Sequence, residues 1–343
     1  MGYRYIGSKA RITDEIISYL GEPSEVDGVF IDAFCGTGVV ASRAADVGWR
    51  TQVNDMMEYA SVISEARLLS VHDISFSQYG GYEGILQFLN SQTAEGFIWK
   101  EYSPASKEQV GIERKYFTEE NAKRIDGATI AIHNLYRDNL ISRKEYILLL
   151  ASLIYATNSV ANIAGTYGCF LSKWTSQAYN SLEIVPLTLR DKQVEYTVSN
   201  MDVFQIMSNP EDVVYLDPPY TKRQYASYYH ILETIVKGDS PIVEGVSGLR
   251  PWKNKSSVFC YKVKALKALV DLTIKQKAKQ VLISYSNDGH VQLDQLVAEL
   301  SKHGSVKAIE LGSIGRYRPN VTASSHKPEV QEYLVDFKRK EES

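Results

Sequence analysis

The stretch from Val29 to Asp55 limits the possible folds more than any other part of the chain. A short apolar run, Val29-Phe30-Ile31, leads into Asp32-Ala33-Phe34-Cys35-Gly36-Thr37-Gly38. A helical pattern then continues through Val47, and Gly48 ends it. A second short strand, Arg50 to Val53, ends at Asn54-Asp55. Strand, glycine turn, helix, strand and acid together make a βαβ unit, which requires a parallel sheet covered by helices. Further strand signals at Val194–Val198, Val213–Leu216, Val281–Tyr285, Lys307–Leu311 and Glu332–Phe337 extend that sheet. Between roughly 72 and 185 the strand signals fade. Glu119–Asp138 and Arg143–Val160 read as helices there, and Ile12–Leu20 reads as one near the start. The expected architecture is therefore an α/β sheet domain, 1–71 and 186–343, interrupted by a mainly helical insertion, 72–185.

The glycine turn leaves the ligand open. Gly36 and Gly38 allow a ligand to approach the backbone closely, and Asp55 ends the next strand where a carboxylate can accept hydrogen bonds from a ribose diol. Gly36-x-Gly38-x-x-Ala41 formally matches a dinucleotide fingerprint. Asp32 points elsewhere, because a carboxylate at the strand end repels a pyrophosphate and suits the cationic amino-acid end of S-adenosylmethionine. A purely structural turn is the third reading.

A second motif narrows the choice. The buried-strand run Val213-Val214-Tyr215-Leu216 is followed directly by Asp217-Pro218-Pro219-Tyr220. Two prolines cannot serve inside a ladder, but they fit the carboxyl end of a parallel strand, where open α/β sheets bind ligands. The corner they make carries one carboxylate, carbonyls freed from helix formation and an aromatic ring. That set suits a planar exocyclic amine. Asp217 can accept one proton of an adenine N6 and the Pro218 carbonyl the other, favouring the pyramidal nitrogen that attacks a methyl group. Tyr220 offers a stacking face.

With these residues in place, the chain resembles the Dam-like N6-adenine DNA methyltransferases that carry the cofactor motif first, an inserted recognition region next and Asp-Pro-Pro-Tyr last. Arg4-Tyr5-Ile6-Gly7-Ser8-Lys9 is similar to the family's aromatic-x-Gly-x-Lys segment, although Tyr5 and Ser8 stand where Dam has Trp and Gly. Phe34-Cys35-Gly36-Thr37-Gly38 matches the family's glycine loop. Asn200-Met201-Asp202-Val203-Phe204 resembles the segment that contacts the cofactor's adenine. Two further segments look most like the FokI-type modification methylases. One is Ala161–Gly168 with Leu171-Ser172-Lys173-Trp174, and the other is Thr221–Thr234.

The resemblance implies a Rossmann-like class I S-adenosylmethionine-dependent methyltransferase sheet and a reading of duplex DNA by the insertion. It implies methyl transfer to N6 of a flipped-out adenine, with a restriction enzyme as a possible partner. Asp217, Pro218, Pro219 and Tyr220 would be catalytic. Tyr5, Lys9, Asp32, Phe34, Gly36, Gly38, Asp55, Asp202 and Val203 would hold S-adenosylmethionine. Lys173, Lys222, Arg223, Arg316 and Arg318 would contact DNA. RNA methylation, or nucleic-acid binding without catalysis, are the alternatives.

Composition supports a non-membrane chain with its own core. Hydrophobic residues are 44% and charged residues 23%, and the longest apolar stretch, Tyr146 to Ala156, is too short to span a bilayer. The opening residues carry no secretory pattern. Three separated cysteines suggest neither a disulfide framework nor a metal cluster, and fit the cytoplasm. The net charge is −3, yet residues 250–280 hold nine Lys or Arg against the single acid Asp271. That stripe reads either as a polyanion footprint or as a solvated helix face. His230 reads as structural, a phosphate contact or catalytic, in that order. Asn287 reads as a pocket residue or a turn.

Overall fold

A computed structural model describes residues 9, 11–21, 23, 27–312 and 331–340. The chain divides into two compact units: residues 6–68, 194–225 and 255–343 form one, and 69–193 with 226–254 form the other.

The first unit holds a seven-stranded sheet. Its strands are β1 (Phe30–Asp32), β2 (Thr51–Asn54), β3 (Tyr196–Ser199), β4 (Val213–Leu216), β5 (Gln280–Ser286), β6 (Gly304–Glu310) and β7 (Glu332–Arg339). They lie in the order β3-β2-β1-β4-β5-β7-β6. The first five positions are parallel, and β7 runs antiparallel between β5 and β6. This is the expected class I methyltransferase sheet.

Strands β1, β4 and β5 are buried along their whole length, because helices cover both faces of the sheet. The period-2 alternation assigns each side chain to a face. Ile31, Val214, Leu216, Val281, Ile283 and Val335 pack with Leu269 and Leu272 of the helix Lys262–Lys275 and with Leu296 of the helix Leu293–Leu300. Phe30, Val53, Val213, Tyr215, Leu282 and Leu334 pack on the other face. Their partners there are Ile16 of the helix Thr13–Ile17 and Val40, Ala41 and Ala44 of the helix Val39–Asp46.

The second unit is mainly helical. Thr118 caps the helix Glu119–Arg137 by accepting from the Asn121 amide. Ser142 and Glu145 form a capping box at the start of the helix Arg143–Val160. Leu148, Leu149, Leu150, Leu153 and Ile154 are fully buried, so this helix is apolar on nearly every side. It is the centre of its unit and the origin of the long apolar run in the sequence. No helix among the described residues is long and apolar enough to cross a membrane.

Residues 226–254 make a second excursion into the helical unit, which the sequence reading did not separate from the sheet domain. The helix His230–Lys237 presents an apolar stripe, and a stripe alone does not say which core will bury it. Hydrogen bonds settle the matter: Tyr116 donates to Ser247 O at 3.0 Å, and Arg114 Nη2 donates to Gly245 O at 3.1 Å.

Candidate functional site

The site forms where β1 and β4 end side by side. They pair in parallel register, Asp32 opposite Tyr215. The Ala33 amide continues the ladder to Tyr215 O at 3.1 Å. The glycine turn after Asp32 and the Asp217–Tyr220 corner after Leu216 therefore leave the sheet at the same edge, as neighbours.

Asn54 fixes the turn. Its side-chain amide donates to Ala33 O at 3.2 Å and to Met201 O at 3.1 Å. Its side-chain oxygen accepts from Met201 N at 3.0 Å and from Ser199 Oγ at 2.9 Å. The Cys35 amide donates to Asn54 O at 2.9 Å. One fully satisfied buried amide thus ties together the ends of β1, β2 and β3. Sequence reasoning passed over it; its position at the end of a strand, beside the conspicuous Asp55, was the available signal. Gly36 and Gly38 both take positive φ, +51° and +71°, the left-handed region that favours glycine. A Cβ on Gly38 would lie 2.6 Å from Ser64 Cα, so the loop and the helix Glu58–Ala66 approach as closely as they do only because that atom is missing.

Asp55 directly follows β2. Its carboxylate accepts from Gly36 N at 3.2 Å and from Met57 N at 2.9 Å, so it also braces the glycine turn. Asp32 is only 2% exposed, and its Oδ1 has no hydrogen-bond partner among the described residues. Burial pushes its carboxyl well above the usual range, and the charges of Asp217 and Asp55 push it further. Hydrogen bonding from the Ala41 and Phe34 amides offsets part of this. Ala41 lies in the first turn of the helix Val39–Asp46, so that helix terminus already faces a carboxylate.

At the neighbouring corner, Lys9 is only 2% exposed and stands between two carboxylates. Its Nζ is 3.4 Å from Asp217 Oδ1 and 3.0 Å from Glu332 Oε2. It also donates to the Tyr220 hydroxyl at 2.5 Å and sits 4.7 Å from the Tyr220 ring centroid. The Tyr220 hydroxyl in turn donates to Asp217 Oδ1 and lies 3.2 Å from Ser284 Oγ. The Tyr220 ring is half-buried and packs against Tyr285, centroids 4.9 Å apart. Burial raises the Asp217 carboxyl, while Lys9 and the Tyr220 hydroxyl oppose that rise. Glu332 was not among the residues singled out from sequence. It begins β7, and nothing in the local pattern says that β7 runs antiparallel. That direction brings its first residue, opposite Ser286, to the same edge as Asp217.

The remaining candidates divide between the two units. In the sheet unit Phe34 meets Phe259 edge-on at 5.5 Å, and Phe259 stacks on Phe204. Asp202 is exposed and caps a short turn by accepting from Phe204 N at 2.9 Å, with Val203 buried behind it. Lys222 and Arg223 are exposed, on a loop pinned by paired Gln224–Ser257 hydrogen bonds of 3.2 and 2.8 Å. Asn287 bonds Gln331 in both directions at 3.1 Å, so it buttresses β5 against the entry to β7. Tyr5, Arg316 and Arg318 lie outside the described residues.

In the helical unit Lys173 is exposed. Its loop is held by Asn162, which donates to Lys115 O at 2.9 Å and to Leu171 O at 3.0 Å, and accepts from Thr175 N at 3.0 Å. His230 is fully buried, with Nε2 2.9 Å from Tyr167 O. Burial pushes its pKa down to about 3. It is a neutral structural bridge between the two segments that resemble the FokI-type methylases, which rules out a phosphate contact.

The basic stripe divides between the two units. Arg250 is paired with Asp239 in the helical unit at 2.6 Å. Lys255 donates to Met56 O at 3.0 Å, and Lys267 pairs with Asp271 at 2.6 Å. Lys275, Lys277 and Lys279 lead into the amino end of β5, the edge opposite Asp217.

Comparison with known proteins agrees with this geometry. A model of the D12 class N6 adenine-specific DNA methyltransferases matches residues 5–298. The type II methyltransferase M.FokI of Planomicrobium okeanokoites is 32% identical over 337 residues, covering 96% of this chain and 51% of that protein. The modification methylase LlaI of Lactococcus lactis subsp. lactis is 34% identical, covering 98% of this chain and 55% of its own length. The chain thus spans about half the length of these two relatives. It is also 30% identical to the type II methyltransferase M.NlaIII of Neisseria lactamica, of which it spans 90%. A sheet edge that sets a glycine turn beside Asp-Pro-Pro-Tyr, in a chain matched across most of its length, belongs to the D12 class N6 adenine-specific DNA methyltransferase family.

Proposed function

We propose that the chain transfers a methyl group from S-adenosylmethionine to N6 of an adenine extruded from duplex DNA, as the modification half of a restriction–modification pair. The observation that carries this reading is the shared edge of β1 and β4. There the buried, unpartnered Asp32 Oδ1 and the Asp217 carboxylate flank one glycine turn.

The residues present fit S-adenosylmethionine. Asp32 would take the cationic amino-acid end, Asp55 the ribose diol, and Phe34, Asp202 and Val203 the adenine. A dinucleotide fits less well, because the helix terminus that would receive a pyrophosphate already faces Asp32. The cofactor supplies an electrophilic methyl group.

The chain's own residues prepare the nucleophile. A base inside a duplex is out of reach, so extrusion costs a few kcal/mol of unstacking and unpairing. Asp217 and the Pro218 carbonyl accept the two amine protons, and Pro219 keeps the corner rigid. The open part of the Tyr220 ring receives the base. The nitrogen grows more acidic as it bonds carbon, so hydrogen-bond acceptance rather than strong basicity is required of Asp217. Lys222 and Arg223 hold the backbone at this edge. The helical unit, with Lys173, reads base edges. The names of the relatives, type II methyltransferase and modification methylase, support the pairing with a restriction enzyme.

Transfer of tritiated methyl groups from S-adenosylmethionine to duplex DNA, with structured RNA in parallel, tests the reading. Label appearing as N6-methyladenine in DNA alone is the expected result. Label in RNA alone, or in neither, overturns it.

A further inference from the structure

Resting on that reading, we infer that Glu332 is a positioning residue for methyl transfer: it holds the Lys9 ammonium partly off Asp217 and so keeps one oxygen of that carboxylate available to the substrate amine. The two oxygens of Asp217 are not equivalent. The Tyr220 hydroxyl and Lys9 both meet Oδ1, and no hydrogen bond or ion pair reaches Oδ2 among the described residues. Lys9 sits closer to Glu332, 3.0 Å, than to Asp217, 3.4 Å. A lone ammonium beside a lone buried carboxylate would close onto it, since their attraction grows as water is excluded. A second carboxylate on the far side divides that attraction.

The sheet explains how residues 323 positions apart come together. Glu332 alternates with Leu334 on the face that also carries Leu282, Tyr215 and the helix Thr13–Ile17. Lys9 precedes that helix, and Asp217 lies two residues beyond Tyr215. The groups around Asp217 come from several strands: Asp32 from β1, Tyr215 and Tyr220 from β4 and its corner, and Glu332 from β7, with Asp55 acting on Asp32 and Ser284 meeting the Tyr220 hydroxyl behind them. Among the described residues Lys9 is the cation that Asp217 and Glu332 share, so its placement sets the charge on Asp217.

The arrangement gives Glu332→Gln a signature. Once the amide is neutral, Lys9 has one carboxylate left and moves onto Asp217. The proton affinity of Asp217 falls, and its free oxygen is taken. Infrared titration of carboxyl groups in the free protein, with Asp217→Asn variants subtracted, should show the Asp217 midpoint lower in Glu332→Gln by about one unit or more. In methyl-transfer assays kcat should fall about 10- to 100-fold while KM for DNA is retained, with the acid limb of the pH profile displaced downward. Glu332→Asp should restore part of both. An unmoved midpoint, or an unchanged kcat, overturns the inference. If Glu332→Gln loses cooperative unfolding, Glu332→Asp carries the test. Its shorter side chain draws Lys9 less, and a midpoint equal to wild type is then the overturning result. The infrared midpoint needs no substrate. Wild-type protein that methylates no DNA would defeat the proposed function while leaving this charge arrangement standing or falling on its own.

Discussion

Replacing Asp32 with Asn should make the free protein more stable and cost it its donor. The carboxylate lies in the core with Oδ1 unpartnered among the described residues, and its charge is opposed by burial and by Asp217 and Asp55. An orphaned buried polar atom costs about 1–3 kcal/mol. The Asn oxygen can keep the Ala41 and Phe34 amides, while its NH2 group turns a repulsion by Asp217 and Asp55 into an attraction. Stabilisation of about 1–3 kcal/mol corresponds to a rise of about 2–12 °C in the melting temperature for a unit of this size. S-adenosylmethionine at a hundred times its Kd should raise the wild-type transition by about 2.7 kcal/mol. A charge-assisted hydrogen bond to its amino group accounts for about 1.5–3 kcal/mol of that affinity, so Asp32→Asn should lose most of the ligand-induced shift. Thermal unfolding with and without S-adenosylmethionine reads both effects. The sign with pH follows from linkage: a carboxyl whose folded pKa is raised penalises the fold when ionised, so the variant's advantage should shrink on acidification. A free variant that melts below wild type, or one whose ligand shift is unchanged, would refute the reasoning.

Gly38→Ala should destabilise the sheet unit by more than the roughly 1–2 kcal/mol of a left-handed alanine, because its Cβ would also meet Ser64; chemical denaturation measures this, and a neutral substitution would show the approach to be slack. Asp217→Ala should abolish methyl transfer while calorimetry finds S-adenosylmethionine binding largely kept; turnover near wild type would remove the assigned role. His230 is held near pKa 3 against an ordinary 6.5. Its burial therefore favours the fold above pH 6.5, and that contribution, at most about 4–5 kcal/mol, is lost as pH falls toward 3. Urea midpoints across that window should fall more steeply for wild type than for His230→Gln, and parallel curves would contradict the buried neutral ring.

The sequence by itself determined most of the sheet. Buried strands such as Val213–Leu216 are continuous apolar runs, the glycine turn demands positive φ, and prolines at a strand end permit few placements, so local chemistry is enough to find them. Asp32, Asp55 and Asp217 were legible for the same reason: each stands at the end of a strand, where a carboxylate has to face a ligand or another group. What lay beyond the sequence depends on contacts between distant residues. Residues 226–254 carry an apolar stripe, but only the finished fold shows that it belongs to the helical core. The basic stripe is continuous in sequence, yet the helix Lys262–Lys275 carries its last lysines to the edge away from Asp217. Lys9 and Glu332 are the sharpest case. Their meeting follows from the antiparallel direction of β7, and strand direction is decided by pairing across the whole sheet rather than by the residues of the strand. A side chain's chemistry is written locally, but the field it sits in is the sum of charges that only tertiary structure brings together.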